Sequence, residues 1–215
     1  MTYNSLPFFV ISGADGVGKT TTTELTEKIL SKKGISVLSF HHMLKEKSAS
    51  PSDTSSNQKG SAKRPEKAIW KSFIPSSLKM LVTSIRDEYK YMARINNMLR
   101  LARANKQIAL CDRYVYDRLI TIRLKKRPLL HKFAVRIVCT LLQKPTLTVI
   151  ITEYPEIIRA RRQELSKSEI VSYQSNFISL CHTINAPLHI LSANQRAPEF
   201  IAEELSEIII SSLHA

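Results

Sequence analysis

Cysteine is scarce in this chain and shows no pairing pattern: Cys111, Cys139 and Cys181 are odd in number, widely spaced, and form no C-x-x-C. That excludes a disulfide framework and a zinc-ribbon type of site, and it fits a reducing compartment. Long apolar runs are missing as well. The most apolar stretch, Phe133 to Ile151, is broken by Arg136, Lys144 and Pro145, so it reads as a helix followed by a strand and not as a transmembrane segment. Met1 to Pro7 is polar and lacks the basic start and apolar centre of a secretory signal. A soluble cytoplasmic protein is expected. Acidic residues are few, 18 against 32 Lys and Arg, for a net charge of +14. This surplus implies an acidic partner, which a phosphorylated small molecule would satisfy; nucleic acid or an anionic membrane surface is not excluded, and part of the excess is expected to be plain solvated surface. There is no guanine-reading N-K-x-D, since Asn105-Lys106 is followed by Gln107-Ile108, which counts against a GTPase. No internal repeat is evident.

What is present begins at residue 13. Gly13-Ala14-Asp15-Gly16-Val17-Gly18-Lys19-Thr20 is a complete G-x-x-x-x-G-K-[ST] element behind an apolar run, Phe8 to Ile11, that reads as a buried strand. The glycines let backbone N–H groups turn inward around phosphates, Lys19 supplies a positive charge to the outer ones, and Thr20 offers a hydroxyl to Mg²⁺ where a helix starts. Gly13, Asp15, Gly16, Val17, Gly18, Lys19, Thr20 and Thr21 are therefore the candidate contacts to a nucleoside triphosphate, with ATP and Mg²⁺ as the expected cofactors. The helix is expected over Thr20 to Lys33, with Leu25, Ile29 and Leu30 on one face and Gly34 as its stop.

With 215 residues the chain can bury one substantial core and is expected to be a single domain, residues 1–215. From about 45 to 71 the composition turns to Ser, Lys and Pro, which reads as a flexible surface insertion whose basic residues could also meet an acidic partner. Ser76 to Ala104 carries Leu78, Leu81, Ile85, Tyr89, Met92, Ile95 and Leu99 at helical spacing. Strands are expected at Ile35 to Phe40, Gln107 to Cys111, Thr146 to Thr152 and Leu188 to Leu191. Helices are expected at Val115 to Lys125, Leu130 to Gln143, Pro155 to Gln163, Ser166 to Ile184 and Pro198 to Leu213. The alternation argues for an α/β fold of three layers: a central parallel sheet of about five strands, helices on both faces, and ligands at the carboxyl ends of the strands.

Two further constellations could carry chemistry. Asp112-Arg113 ends the third strand, where a carboxylate can hold Mg²⁺ through water and an arginine can fork onto a phosphate; a helix cap with a surface ion pair is the structural alternative. Arg159-Ala160-Arg161-Arg162 lies in a short segment, about 155–168, that could close over the phosphates as a lid. Arg159 and Arg162, three apart and so on one helical face, rank above Arg161; a solvated basic face is the alternative for at least one of them.

In order and separation, G-A-D-G-V-G-K-T-T, C-D-R-Y and R-A-R-R-Q-E-L resemble the thymidylate kinase family of P-loop nucleoside monophosphate kinases, in a divergent branch. The resemblance covers most of the chain and implies a P-loop kinase fold. It also implies that Asp15 contacts the acceptor's sugar and that Asp112 and Arg113 handle acceptor phosphate and metal. Because Gly16 and Val17 stand where a loop arginine could be, it draws the catalytic arginine from the lid, with Lys19, Asp112, Arg159 and Arg162 as the catalytic set. Tyr114, Asp117 and Arg94 join Asp15 and Arg113 as acceptor-side candidates, Asp117 equally as a helix cap, and His41 or His42 falls near the end of the second strand. The departures lie on the acceptor side. The chain continues Val115-Tyr116-Asp117-Arg118-Leu119 in place of the family's serine and alanine-tyrosine-glutamine run, the family's phenylalanine-to-arginine spacing is not cleanly found around Tyr89 to Arg94, and Thr152-Glu153 replaces its usual Asp. The expectation is ATP-dependent phosphoryl transfer to a nucleoside monophosphate, dTMP first. Another small acceptor on the same fold, or a basic nucleotide- or nucleic-acid-binding protein without activity, is the alternative, and a homodimer is left open.

Overall fold

The computed structural model describes residues 6–41, 76–124 and 140–214, together with Leu129, Phe133, Arg136 and Ile137. The expected insertion at about 45–71, His42, Lys125 and most of the expected Leu130 to Gln143 helix lie outside the described residues. In chain order the elements are β1 (Phe8–Ser12), α1 (Lys19–Lys32), β2 (Val37–His41), α2 (Ser76–Ala104), β3 (Ile108–Asp112), α3 (Val115–Leu124), β4 (Leu147–Thr152), α4 (Pro155–Arg161), α5 (Lys167–Thr183), β5 (Leu188–Ser192) and α6 (Pro198–His214).

The strands form one all-parallel sheet in the order β2-β3-β1-β4-β5. β1 and β3 are buried at every position, as strands covered on both faces must be. Helices cover both sides: α1 packs with α6, and α3 with α5. This is the three-layer α/β arrangement of P-loop kinases. The chain leaves β1 toward β2 on one side and later crosses to β4 on the other, so the strand order reverses at β1. A crevice opens there at the carboxyl ends, which is where the G-x-x-x-x-G-K-[ST] loop stands.

Local chemistry explains the element ends. α1 starts after Gly18, which is left-handed at φ 98°, and it closes with Gly34 N–H donating to Ser31 O and Ile35 N–H to Leu30 O, the two bonds of a Schellman stop. α5 starts with a capping box in which Ser166 and Glu169 satisfy each other's backbone.

Two helices present a different face from the one their apolar spacing suggests. In α1 the buried side is Thr22, Thr23, Thr26 and Leu30, whereas Leu25 and Ile29 are only half-buried. Thr23 and Thr26 donate their hydroxyls to Lys19 O and Thr22 O, both at 2.8 Å, so these side chains satisfy themselves and pack as small apolar groups. In α2 the buried stripe is Glu88, Tyr91, Ile95, Leu99 and Ala102; Ile85 and Tyr89 face solvent. A charged Glu88 inside that stripe hides the true phase of the helix from a hydrophobicity reading.

Candidate active site

The phosphate loop is held in shape by close contacts. A Cβ on Gly13 (φ 152°) would stand 2.7 Å from Ile151 O of β4, and one on Gly16 (φ 95°) would stand 3.2 Å from Cβ of Arg162. The loop therefore touches β4 on one side and the segment after α4 on the other, and both contacts demand glycine. Val17 is buried and its N–H donates to Ala14 O. Thr20 and Thr21 are exposed at the first turn of α1, with hydroxyls open to a ligand.

Lys19 is buried, and its Nζ donates to Gly13 O and Ala14 O at 2.9 Å each, folding the ammonium back into the loop. Burial first, and the Arg113 guanidinium second, lower its pKa to about 8; Asp15, Asp112 and Asp117 pull the other way. Asp15 lies 3.7 Å from Lys19 Nζ and is ion-paired with Arg113. Asp112 is buried at the end of β3, in register with Ile11 of β1 and His41 of β2, and close enough to Lys19 to raise its proton affinity. Three expected groups, Asp15, Asp112 and Arg113, thus converge on the loop lysine.

Arg113 adopts φ 73°, left-handed for a non-glycine residue, and its backbone N–H donates to Ile11 O. Burial opposes its charge, but Asp117 and Asp15 outweigh burial and hold it above its usual pKa. Asp117 is buried in the first turn of α3. Its carboxylate accepts from Tyr114 N–H at 3.0 Å, from the hydroxyl of Ser12 at the end of β1 and from the hydroxyl of Tyr173 on α5, and it lies 3.9 Å from Arg113 Nη1. Of its two readings, the helix cap is the one this geometry displays, extended into a knot joining β1, α3 and α5. Burial, then Asp117, pushes the Tyr173 phenol well above its normal pKa, so it stays a donor.

Other expected site residues sit elsewhere. Tyr114 is a core residue: its ring packs 5.7 Å from Phe8 and its hydroxyl donates to Gln143 O, because the left-handed turn at Arg113 sends the next side chain inward. Arg94 is exposed on α2, outside the stripe that meets the sheet, and is not brought together with the loop. The same-face argument for Arg159 and Arg162 lapses, since α4 ends at Arg161 and Arg162 is extended at φ −146°. Arg162 lies over Gly16, whereas Arg161, ranked lower from sequence, lines the adjoining cavity. Arg159 is exposed.

That cavity, of about 320 Å³, runs from the loop toward β4 and β5 and is bordered by Gly16, Gly18, Thr21, Glu153, Arg161 and Arg196. Its size suits a small organic ligand. Glu153 anchors its wall, accepting from Tyr154 N–H at 2.9 Å and from Gln195 N–H at 3.2 Å. Arg196 reaches it while paired with Glu204. Arg196 was not singled out from sequence, and Glu153 only as standing in place of the family's usual Asp; their position just beyond β5 and β4, at carboxyl ends, was the available signal.

The residues present fit a nucleotide with a magnesium ion. The cradle is one that side chains at Gly13 and Gly16 would fill, and Thr20, exposed at the start of α1, and Asp112, buried at the end of β3, would be the oxygen donors for the ion. Among the described residues no three His, Cys, Asp or Glu groups cluster as metal ligands. Such an ion would accordingly lean on phosphate oxygens and water, as Mg²⁺ usually does.

No protein-family model and no curated protein matches this sequence. Among solved structures, the chain is similar to a thymidylate kinase from Ehrlichia chaffeensis, with a TM-score of 0.56 and 16% identity over 95% of this chain and 99% of that one. The fold is thus that of a thymidylate kinase. No helix among the described residues is long and apolar enough to cross a membrane.

Proposed function

We propose that this protein is a Mg²⁺-dependent P-loop kinase that moves the γ-phosphoryl group of ATP to a nucleoside monophosphate, with dTMP as the first acceptor to test. The observation that carries the reading is the convergence of Lys19, Asp15 and Arg113: a buried ammonium in a glycine cradle faces a carboxylate–guanidinium pair delivered from the neighbouring strand end.

The two substrates take opposite sides of the loop. ATP enters on the β4 and β5 side, where the cavity lies, with Gly13 to Thr20 wrapped around its phosphates. The acceptor enters on the β3 side, its phosphate exchanging with Asp15 for the Arg113 guanidinium. Lys19 leaves the loop carbonyls for the β and γ phosphates, while Thr20 and Asp112 hold the magnesium ion. When bound, that ion neutralises charge on the phosphates and orients them. Arg161 and Arg162 stabilise charge on the phosphoryl group in flight, and the closed segment around them keeps water from taking its place.

The test is ADP release coupled to a panel of acceptors. Turnover of a nucleoside monophosphate that vanishes in Lys19→Ala supports the reading. Inactivity with every nucleoside monophosphate, alongside turnover of another metabolite, moves the acceptor class and leaves the chemistry. ATP binding without transfer to any acceptor, accompanied by salt-sensitive RNA or DNA binding, replaces the kinase with a nucleic-acid-binding protein.

A further inference from the structure

The positive charge of this chain is not spread evenly. Residues 89–152 hold fourteen of the 32 Lys and Arg but only two of the 18 acids, Asp112 and Asp117, and so carry +12 of the net +14. Both of those acids are buried. Among the described residues, this stretch therefore presents no negative side chain to solvent. Along α2 and just after it stand Lys90, Arg94, Arg100, Arg103 and Lys106, all exposed and none of them ion-paired among the described residues. A cationic surface of this extent, which the phosphoryl-transfer machinery does not use, calls for an anionic partner.

Beside it lies an apolar stripe. Leu129, Phe133, Ile137 and Leu141 are helical and between 43% and 79% exposed. Steps of four residues keep them along one side of a helix, over about 18 Å at 1.5 Å per residue. Arg136 and Thr140, helical as well, are exposed among them. Leu142, one position on, is buried, and Gln143 is held twice: its Oε1 accepts from Arg103 of α2 and its backbone O from the Tyr114 hydroxyl at 2.6 Å. The end of the stripe is thus pinned against the end of α2 with Leu141 still facing out. Gln143 leads into β4 and Ala104 into β3, so this junction lies at the amino-terminal edge of the sheet, opposite the phosphate loop.

We propose that this face docks on an anionic lipid surface: the stripe enters the boundary between headgroups and acyl chains while the cations beside it meet lipid phosphates and carboxylates. A helix with large aliphatic and aromatic residues exposed on one side and cations around them suits that boundary without crossing the bilayer. Charge decides among the possible occupants. A second copy of this chain would bring the same +12 against it, and nucleic acid would neutralise the cations while leaving Phe133 and three aliphatic side chains in water. A lipid surface satisfies both halves of the face. Because the junction lies opposite the phosphate loop, the cleft at Lys19 stays open to solvent.

Flotation of the full-length protein with vesicles tests this without any assay of catalysis. The protein should bind phosphatidylcholine vesicles holding about 30 mol% phosphatidylserine at least about tenfold more tightly than phosphatidylcholine alone, and should lose most of that affinity between about 50 and 200 mM salt. Phe133→Gln/Leu141→Gln should weaken binding to the anionic vesicles by about tenfold or more, and Arg100→Gln/Arg136→Gln should do likewise. Melting temperature should be unchanged and ATP affinity within about twofold in both, since every substituted side chain is exposed. No binding to the anionic vesicles at low salt, or equal binding by the folded Phe133→Gln/Leu141→Gln variant, would overturn the proposal. So would a solution dimer that this variant dissociates, which gives the stripe to a second copy, or salt-sensitive binding of RNA or DNA by a protein that ignores the vesicles, which gives the cations to nucleic acid.

Discussion

Asp15 in the phosphate loop and Arg113 at the end of β3, ninety-eight positions apart, are joined as an ion pair beside Lys19. The two satisfy one another's charge, and in the proposed reading each is also half of the acceptor site. An incoming phosphate must take the guanidinium away from Asp15. Arg113→Ala should raise the acceptor KM by about 10- to 100-fold, the equivalent of roughly 1.5–3 kcal/mol for a hydrogen bond to a charged group, while ATP affinity is unchanged. Steady-state kinetics with each substrate varied in turn checks this, and a parallel loss of ATP affinity would reassign Arg113 to the donor.

The lowered pKa of Lys19 gives a pH signature. With its folded value near 8 against the usual 10.5, the unfolded chain binds more protons between these two points, so this group's contribution to the stability of the free protein rises across that window. Burial raises the Cys111 thiol well above 9, which removes stability as pH climbs past 9 and opposes the lysine. Ligand binding is the cleaner readout. ATP affinity should fall about tenfold per pH unit above pH 8, as the loop must take up a proton to bind the anion. Lys19→Arg, which stays charged, should flatten that slope in calorimetry from pH 7 to pH 10.

Asp117 is the knot beneath the site. Replacing it with Asn puts an N–H₂ where Ser12, Tyr114 and Tyr173 all donate, and withdraws the charge facing Arg113. Asp117→Asn should cost about 2–4 kcal/mol in urea unfolding, whereas Tyr173→Phe, which removes one donor, should cost nearer 1 kcal/mol. Equal and small costs would show that the three bonds do not act on one carboxylate.

Glycine substitutions separate two causes of strain. At Gly13 an added methyl meets Ile151 O at 2.7 Å, while at Gly18 it meets nothing within 4 Å and only the positive φ resists it. Gly13→Ala should therefore destabilise the fold by more than about 1 kcal/mol and exceed Gly18→Ala in the same urea titration. The reverse order would mean that the loop does not press on β4 as described.

All three arginines of the proposed lid are exposed, but Arg161, which lines the cavity, and Arg162, beside Gly16, should matter more than Arg159. Alanine at 161 or 162 should lower turnover by about 10²- to 10³-fold if the group acts on the phosphoryl in transfer, with Arg159→Ala within severalfold of wild type. Single-turnover assays at saturating ATP distinguish the three.

The sheet and the phosphate loop were legible because their signals are local: β-branched runs, a glycine pattern and a stopping Gly34. Asp112 and Arg113 were legible from their place at a strand end. What was hidden depends on tertiary partners. Thr23 and Thr26 bury polar side chains because each donates its hydroxyl to a carbonyl one turn back, and Glu88 enters the core paired with Arg118 from another helix. The left-handed turn at Arg113 decides that Tyr114 packs on Phe8 and Asp117 faces inward, and nothing in Asp-Arg-Tyr announces that φ. Arg162 leaves the helical face of Arg159 because α4 is only seven residues long, an end point that the arginine spacing does not encode.

The central claim is that the loop after β1 grips a triphosphate through Lys19. Isothermal titration of ATP with Mg²⁺ into wild type and Lys19→Ala, with matched melting curves, tests it most directly. The account predicts saturable one-to-one binding in the wild type that is lost in the variant. Well-folded wild type that takes up no ATP, or a variant that binds it equally well, would contradict the account.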